Sequence, residues 1–370
     1  MTTLWVLLHV AAQRDYELHS LDFSTAFIQG SLHEEIWLRR PPGFTGTTTL
    51  AALGFAPSTA DPSLFLRTDT SLPPFYVLVY VDDLVFATAD TEALTLVKSE
   101  LQKRRTCTDL GELRSYLGLQ ITRDRARRTI TLTQSHMVHQ VLQRFGFQFS
   151  SPQATPLSTS HSLSAPTSYD SIELSGPYPE LVGCLMYLMT CTRLDIAYPL
   201  SLLARYVALG RHRKVHWDAA KRVLRYLCRT SGMEDGVQMF SLVTQMPPRL
   251  TTQLLSGRQR VTPSALELRW ITYLLTDLGE QPCLPPVLYI DNNAMIALCQ
   301  EHRLEHKTKH IALRYFPAVE FQQRGQLHLG YVATRANTAD VFTKALPPGD
   351  HQRFVTVLGL VPTLPHLLTA

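Results

Sequence analysis

The chain has 370 residues, of which 45% are hydrophobic and 18% are charged, and its formal net charge is +4. This composition predicts a soluble chain of two or three domains, and the charge is too small to establish a nucleic-acid partner by itself. The six cysteines form no Cys-x-x-Cys pair, which argues against a zinc finger or a disulfide framework. The N-terminal apolar run is too short to span a bilayer, so we expect an intracellular protein of the cytoplasm or nucleus.

Three aspartates are the first candidates for chemistry. Asp22 closes a short strand-like run, and the stretch FYVLVYVDDLVFATAD predicts two buried strands around a turn that holds Asp82 and Asp83. Aspartate is a common turn residue, so a surface hairpin accounts for the pair equally well. Adjacent carboxylates repel each other by roughly 1 kcal/mol at 4 Å in water, however, and a divalent cation removes that repulsion. Together, the three carboxylates suffice for a pair of Mg²⁺ ions in phosphoryl transfer.

The middle of the chain changes character twice. Residues 150–177 are rich in Ser, Thr and Pro and predict a linker, whereas 178–232 carry a strongly helical pattern. Lys221, Arg225 and Arg229 share one face of the last predicted helix, opposite Val223 and Leu227. This basic stripe is either an ordinary solvated helix face or a contact for a phosphate backbone.

The C-terminal third predicts an α/β pattern after a poorly structured segment at 233–263. Asp291 follows a predicted strand and Asp340 stands near the start of a helix, where each is either a metal ligand or, equally well, a helix cap. His302, His306 and His310 recur every four residues, which is compatible with a zinc site on one helix face. No carboxylate accompanies them in the His-Glu-x-x-His manner, which weakens that alternative.

Several motifs occur in the order typical of one family. The stretches LDFSTAFIQGSLHEEIWLRRPPGF, YVDDLVFATAD, LGELRSYLGLQI and YPELVGCLMYLMTCTRLDIAYPLSLLARY resemble the reverse transcriptase of copia-type LTR retrotransposon Pol polyproteins. Further on, LYIDNNAMIALCQEHRLEHKTKHIALRY and YVATRANTADVFTKAL resemble the ribonuclease H region that follows it. The implied fold class is α/β: an α+β polymerase palm followed by a truncated ribonuclease H-like α/β domain.

The resemblance implies a role for each matching residue. Asp22, Asp82 and Asp83 would be catalytic and would bind Mg²⁺, or Mn²⁺ in its place, while Phe27 and Tyr80 would contact the nucleotide. Further roles fall on two groups of residues: nucleic-acid contacts at Tyr116, Leu117, Gly118, Lys221, Arg225, Arg229, His306 and Lys309, and ribonuclease H metal ligands at Asp291 and Asp340. The implied partners are an RNA template, a DNA primer and the RNA/DNA hybrid, with no membrane.

The resemblance also implies a domain order and shows which of the family's segments are missing from this chain. The expected domains are a palm at 1–149 with most of the fingers missing, the linker, a thumb-like region at 178–232, the segment 233–263 and a ribonuclease H-like domain at 264–370. The family's Leu-Tyr-Gly-Leu-Lys-Gln segment is absent after Phe44, and two ribonuclease H acids have no counterpart. Two functions therefore remain open: an impaired polymerase, or a catalytically dead remnant that at most binds nucleic acid.

Overall fold

The structure is a computed structural model that describes residues 1–23, 49–160, 177–208, 212–231, 234–238, 261–282, 285–291, 293, 296–297 and 320–363. The chain forms two compact units. The first comprises Met1–Arg114, Arg123–Thr129 and Arg269–Pro282, and the second comprises Ser115–Thr122, Ile130–Leu268 and Cys283–Ala370. In the described part of the chain, no helix is long and apolar enough to cross a membrane.

The first unit is built on a six-stranded antiparallel sheet. Its strands are β1 (Glu17–Phe23), β2 (Phe55–Pro57), β3 (Leu64–Arg67), β4 (Phe75–Tyr80), β5 (Asp83–Thr88) and β6 (Cys107–Glu112). They lie in the order β2-β3-β4-β5-β1-β6, so β5 and β1 are central neighbours and β6 is an edge strand. The predicted hairpin is confirmed, because β4 and β5 pair with Tyr80 opposite Asp83.

Both faces of the hairpin are covered, which explains its continuous apolar sequence. Phe75, Val77, Leu84 and Phe86 pack in one core cluster with Leu94 and Leu101 of helix α3 (Thr91–Arg104). The alternate residues Tyr76, Leu78, Val85 and Ala87 are also buried, on the face that helix α1 (Thr2–Gln13) contacts through β5. A short helix, α2 (Thr49–Ala52), precedes β2. Asp90 begins α3 by accepting a hydrogen bond of 2.9 Å from the Ala93 amide.

The second unit contains a helical core, as the sequence pattern predicts. Its helices are α4 (Ser135–Arg144), α5 (Tyr178–Cys191), α6 (Ala197–Ala208) and α7 (Lys214–Thr230). Their apolar faces form one cluster that includes Leu181, Leu185, Leu203, Val223 and Leu227, each fully buried. Val223 and Leu227 therefore occupy the inner face of α7, opposite the basic stripe.

A buried ion pair lies within this helical core. Arg193 donates to both carboxylate oxygens of Asp195, at 3.0 and 2.8 Å, and also to the Thr230 hydroxyl at 2.8 Å. The Tyr226 hydroxyl donates to the same carboxylate at 2.6 Å. These partners hold the pKa of Asp195 below its usual range, although burial alone would raise it. The pair thus ties α7 to the turn between α5 and α6.

The remaining strands, most of whose residues belong to the second unit, form two sheets. One has the order β13-β10-β9-β8-β7, from β7 (Ser115–Tyr116), β8 (Leu119–Asp124), β9 (Thr129–Thr133), β10 (Glu234–Gln238) and β13 (Leu360–Thr363). Strand β10 falls at the start of the segment where the sequence pattern indicates no regular structure. The other sheet pairs β11 (Val287–Ile290) with β12 (His328–Tyr331) in parallel. Helix α9 (Pro348–Val357) also belongs to the second unit, whereas α8 (Val261–Asp277) belongs to the first unit from Arg269 onward. The predicted mixture of helices and strands is therefore confirmed.

Candidate functional site

Asp22 and Asp83 lie directly opposite each other on neighbouring strands at the end of the six-stranded sheet. The same level of the sheet also holds Tyr80, opposite Asp83, and Thr108, opposite Asp22. Directly opposed residues place their side chains on the same face, with Cβ atoms about 4.5 to 5.5 Å apart. The four residues therefore form one row across β4, β5, β1 and β6. The sequence predicts Tyr80, Asp83 and Asp22 as site residues but not Thr108.

Asp82 joins this row through the hairpin turn. The turn consists of Val81 and Asp82, and the Asp82 carbonyl accepts a hydrogen bond of 2.8 Å from the Phe23 amide of β1. Val81 has a φ of +55°, a conformation that is unfavourable for a β-branched residue. Backbone strain of this kind is typical of functional sites. The hydrogen bond from Phe23 holds the tip that carries Asp82 next to the end of β1.

The electrostatics of the three carboxylates show that they interact. Burial raises the pKa of Asp83, and the negative charges of Asp22 and Asp82 raise it further. One carboxylate oxygen of Asp82, Oδ1, is buried without a hydrogen-bond partner among the described residues. A buried, unpartnered oxygen beside two other carboxylates is unfavourable unless a cation neutralises it.

The three carboxylates have the chemistry to bind a hard divalent cation, although their side chains do not already form a metal site. Carboxylate oxygens are the ligands that Mg²⁺ prefers, and the buried Oδ1 of Asp82 is an acceptor of this kind. Within the described ranges, no three His, Cys, Asp or Glu side chains are close enough together to hold a metal ion. Metal binding therefore requires the carboxylate side chains to rotate toward a common point. Their backbone positions are already adjacent.

The two predicted nucleotide contacts differ in what the structure describes. Tyr80 ends β4 with 54% of its surface exposed, beside Asp83. Its exposure leaves the ring accessible on the same sheet face as the carboxylates. Phe27 lies outside the described residues, as do His306 and Lys309.

The predicted primer contact is a tight hairpin turn in the second unit. Leu117 and Gly118 have φ values of +47° and +73°, which is the two-residue turn with both central residues in the left-handed region. The Tyr187 hydroxyl of α5 donates a hydrogen bond to the Leu117 carbonyl. A Cβ atom at Gly118 would lie 2.9 Å from that hydroxyl, so a larger residue would displace Tyr187 as well as strain the backbone. The sequence does not predict the role of Tyr187, because it is distant in the chain from the turn.

The basic stripe on α7 is partly engaged in local contacts. Lys221 forms an ion pair of 3.2 Å with Asp218 and lies over the Trp217 ring. Arg225 packs over the Phe147 ring, and Arg229 is exposed. Lys221 and Arg225 therefore have local partners, and Arg229 is the most exposed member of the stripe.

The two ribonuclease H candidates lie on different elements of the second unit, because Asp340 belongs to the 3₁₀ helix Thr338–Phe342, which contacts α6 and α9. Asp291 directly follows β11, and its Oδ2 is buried without a hydrogen-bond partner in the described part. Asp340 is 4% exposed, and its carboxylate forms an ion pair of 2.6 Å with Lys344. The Lys344 ammonium occupies a position at Asp340 that a metal ion would need.

Comparison with known proteins identifies the origin of these motifs. A family model described as reverse transcriptase (RNA-dependent DNA polymerase) matches residues 45–159, which include Asp82, Asp83 and the Leu117–Gly118 turn. The retrovirus-related Pol polyprotein from transposon TNT 1-94 of Nicotiana tabacum is 27% identical over 428 residues, covering 97% of this chain and 32% of the relative. That from transposon RE2 of Arabidopsis thaliana is 29% identical and covers 98% of the chain and 29% of the relative.

These relatives are much longer than the chain, which spans about a third of their length. The aligned stretch of 428 residues also exceeds the 370 residues of the chain, so the relative has internal residues that the chain lacks. A transposon Ty5-1 protein of Saccharomyces cerevisiae is 31% identical over 241 residues, covering 58% of the chain and 77% of the relative. No solved structure matches the chain. The chain therefore belongs to the family of copia-type retrotransposon Pol polyproteins with a reverse transcriptase (RNA-dependent DNA polymerase) region.

Proposed function

We propose that the chain is a retrotransposon-derived RNA-directed DNA polymerase whose catalytic carboxylates persist and whose rate is low. The observation that carries the proposal is the juxtaposition of Asp22 with Asp83 on adjacent strands, with Asp82 held at the hairpin tip beside them. Adjoining carboxylates at one end of a sheet could hold the two metal ions that this kind of phosphoryl transfer uses. The divalent metal use of the family agrees with it.

Asp22, Asp82 and Asp83 would hold a pair of Mg²⁺ ions, or Mn²⁺ in their place. Such ions activate the attacking oxygen and stabilise the leaving oxygen of an in-line displacement. Tyr80, exposed next to Asp83, and Phe27 would contact the incoming nucleotide. Tyr116, Leu117 and Gly118 would contact the primer strand, because the turn presents backbone groups in a fixed conformation. The substrates would then be an RNA template, a DNA primer and their hybrid.

The low rate follows from the internal segments that the chain lacks relative to its family. Alignment of reacting groups is worth about 7 to 11 kcal/mol in well-oriented systems, so carboxylates without the template and nucleotide contacts supply only part of catalysis. The second candidate function is a catalytically dead remnant that binds nucleic acid. The local interactions of Lys221 and Arg225 limit the stripe on α7, so this binding would be weak and sensitive to salt.

The domain order of the family extends the proposal over the whole chain. The palm would occupy 1–149 and a thumb-like region 178–232, joined by the linker at 150–177, with 233–263 leading into a ribonuclease H-like region at 264–370. Asp291 and Asp340 would be what remains of its metal ligands. A family member of this kind acts inside the cell, in the cytoplasm or nucleus, so we propose the same for this chain.

Primer extension tests the proposal. The purified chain is incubated with a DNA primer on an RNA template, Mg²⁺ and deoxynucleotides, beside a chain that carries a family-type segment inserted between Phe44 and Leu50. We expect extension near background from the first and measurable extension from the second, abolished by Asp82→Asn. Strong extension by the unmodified chain that Asp22→Asn stops would show that the missing segment is dispensable.

A further inference from the structure

The edge strand β6 contains one residue more than the part of β1 with which it pairs. The pairing shifts by one residue just before Leu21, which lies opposite Asp109. Leu110 is the additional residue of β6, and 54% of its surface is exposed. Gly111 has a φ of +74°, the left-handed conformation that glycine adopts in one type of β-bulge. A bulge therefore lies in β6 close to the row that contains Asp22.

This bulge decides which residue lies opposite Asp22. Beyond the bulge, Asp22 pairs with Thr108, while Asp109 pairs with Leu21 on the face of the sheet that packs against α3. Without the bulge, the pairing that precedes it would continue and place Asp109 directly opposite Asp22. Asp109 would then add a carboxylate to the end of the sheet that already holds three.

Helix α3 holds Asp109 on the opposite face from the row. The Lys98 ammonium donates to Asp109 Oδ1 at 2.6 Å and to His19 Nδ1 at 2.8 Å, and only 6% of the Lys98 surface is exposed. Burial and the Lys98 charge lower the pKa of His19, which keeps Nδ1 available as an acceptor. The Gly111 amide donates to Asp109 Oδ1 at 2.9 Å. Lys98 thus joins β1 before the register shift to β6 beyond it.

A simpler interpretation covers part of this arrangement. A bulge in an edge strand discourages pairing with another chain, and this accounts for the presence of a bulge in β6. It does not account for Lys98, because a charge that protects a sheet edge is exposed to solvent, whereas a buried ammonium is costly unless it is paired. An ion pair across the shift instead indicates that the register itself is being held.

We propose that Lys98 is a positioning residue that fixes the bulge and so keeps Asp109 out of the row that contains Asp22 and Asp83. The inference rests on the proposed function and deepens it, because it assigns the charge of the proposed metal site to a contact on the other face of the sheet. With Asp109 opposite Asp22, the row would attract a divalent cation more strongly, and its carboxylates would repel each other more when no metal is bound. Lys98 acts only through Asp109 and His19.

Disulfide formation in the full chain reports the register directly. Cys107 lies opposite Phe23 in the observed register, whereas Thr108 would lie opposite Phe23 without the bulge. Directly opposed residues on antiparallel strands have Cα atoms about 4.5 to 5.5 Å apart, which a disulfide can span. The first reporter is Phe23→Cys with the native Cys107, and the second is Phe23→Cys with Cys107→Ser and Thr108→Cys. Each reporter is oxidised with and without Lys98→Met, and mass spectrometry identifies the linked peptides.

We expect the first reporter to cross-link in preference to the second while Lys98 is present. Lys98→Met should move the ratio of the two cross-links roughly tenfold toward the second. Lys98→Gln keeps a hydrogen-bond donor without the charge, so it should change the ratio less but in the same direction, and it serves if Lys98→Met does not fold. The matched control is Lys103→Met, because Lys103 lies on the same helix, is 69% exposed in the side chain and pairs with Glu100. If both Lys98 variants behave like the control, the positioning role is overturned and the polymerase proposal is unaffected.

Mn²⁺ binding to the chains without reporter cysteines separates positioning from a general loss of structure. Loss of structure in Lys98→Met predicts weaker binding. An added carboxylate increases the affinity of a site for a cation, so the positioning role predicts binding that is tighter by about threefold or more. Lys98→Met/Asp109→Asn should then return to the affinity of the unmodified chain. Weaker binding by Lys98→Met would overturn the role of Asp109. If the cross-links shift as expected but the unmodified chain binds no Mn²⁺, the register assignment stands and the proposed polymerase function fails.

Discussion

Asp22 and Asp83 are cross-strand partners at the end of a six-stranded antiparallel sheet, and the charge of Asp22 contributes to the raised pKa of Asp83. Neither residue gains stability for the fold from this position, because like charges directly opposed on adjacent strands are destabilising. A bound divalent cation, as proposed above, would offset this repulsion.

Replacing Asp83 by asparagine should stabilise the protein at neutral pH. The raised pKa means that the folded state holds the Asp83 proton more tightly than the unfolded chain does. The resulting penalty is absent well below the ordinary pKa of 3.8 and grows as pH rises through the folded pKa. Asp83→Asn removes it, so we expect a melting temperature higher by a few degrees at pH 7, on the order of 1 kcal/mol, and little gain at pH 3.

Asp69 provides the control for this measurement. Its carboxylate accepts hydrogen bonds from the amide and hydroxyl of Ser71, which lower its pKa. Asp69→Asn should leave the melting temperature at pH 7 unchanged or lower it. A lower melting temperature for Asp83→Asn at pH 7 would contradict the proposed repulsion among the three carboxylates.

Breaking the buried ion pair in the helical core should have a much larger effect. Asp195→Asn leaves the Arg193 guanidinium buried without a counter-charge, which costs about 3 to 5 kcal/mol. Tyr226→Phe removes one hydrogen bond to Asp195 and should cost about 1.5 to 3 kcal/mol. The exposed pair of Asp218 and Lys221 is the control, where Asp218→Asn should cost less than about 1 kcal/mol. Denaturant unfolding monitored by helical circular dichroism would measure all three, and equal costs would refute the ranking.

At the turn of Leu117 and Gly118, the cost of the left-handed backbone conformation can be measured separately from the cost of steric overlap with Tyr187. Gly118 and Gly146 have nearly the same φ, +73° and +72°, but an added Cβ meets the Tyr187 hydroxyl only at Gly118. Alanine at Gly146 should cost about 1 to 2 kcal/mol for the left-handed conformation, and alanine at Gly118 should cost more. In a Tyr187→Phe background the excess at Gly118 should shrink. Equal costs at the two glycines in the unmodified chain would show that Tyr187 does not constrain the turn.

The C-terminal region should not cleave the RNA strand of an RNA/DNA hybrid. Lys344 neutralises Asp340, and Asp291 and Asp340 alone cannot hold two metal ions in the geometry of in-line attack. Incubation of a labelled hybrid with Mg²⁺ or Mn²⁺ should leave the RNA intact. Metal-dependent cleavage that disappears in Asp291→Asn would contradict this prediction.

The sequence predicts best those parts of the site whose residues are close together both in space and along the chain. The hairpin that carries Asp82 and Asp83 follows from apolar alternation around a turn, and the partnership of Asp22 with the hairpin follows from the family motifs. The position of Thr108 opposite Asp22 and the contact of Tyr187 with Leu117 could not be predicted, because they depend on strand register and on the packing of a helix against a distant turn. The strand Glu234–Gln238 could not be predicted for a similar reason, since its pairing with β9 and β13 involves residues far along the chain. The domain boundaries and the roles of the site residues stay predictions.

Mn²⁺ binding followed by electron paramagnetic resonance tests most directly whether the three carboxylates form a metal site. Mn²⁺ is titrated into the purified chain and into the variants Asp22→Asn, Asp83→Asn and Asp69→Asn, with Mg²⁺ as competitor. We predict bound Mn²⁺ that Mg²⁺ displaces in the unmodified chain and in Asp69→Asn, and at least a tenfold loss of affinity in Asp22→Asn and Asp83→Asn. Unchanged Mn²⁺ binding in those two variants, or no binding by the unmodified chain, would contradict the account.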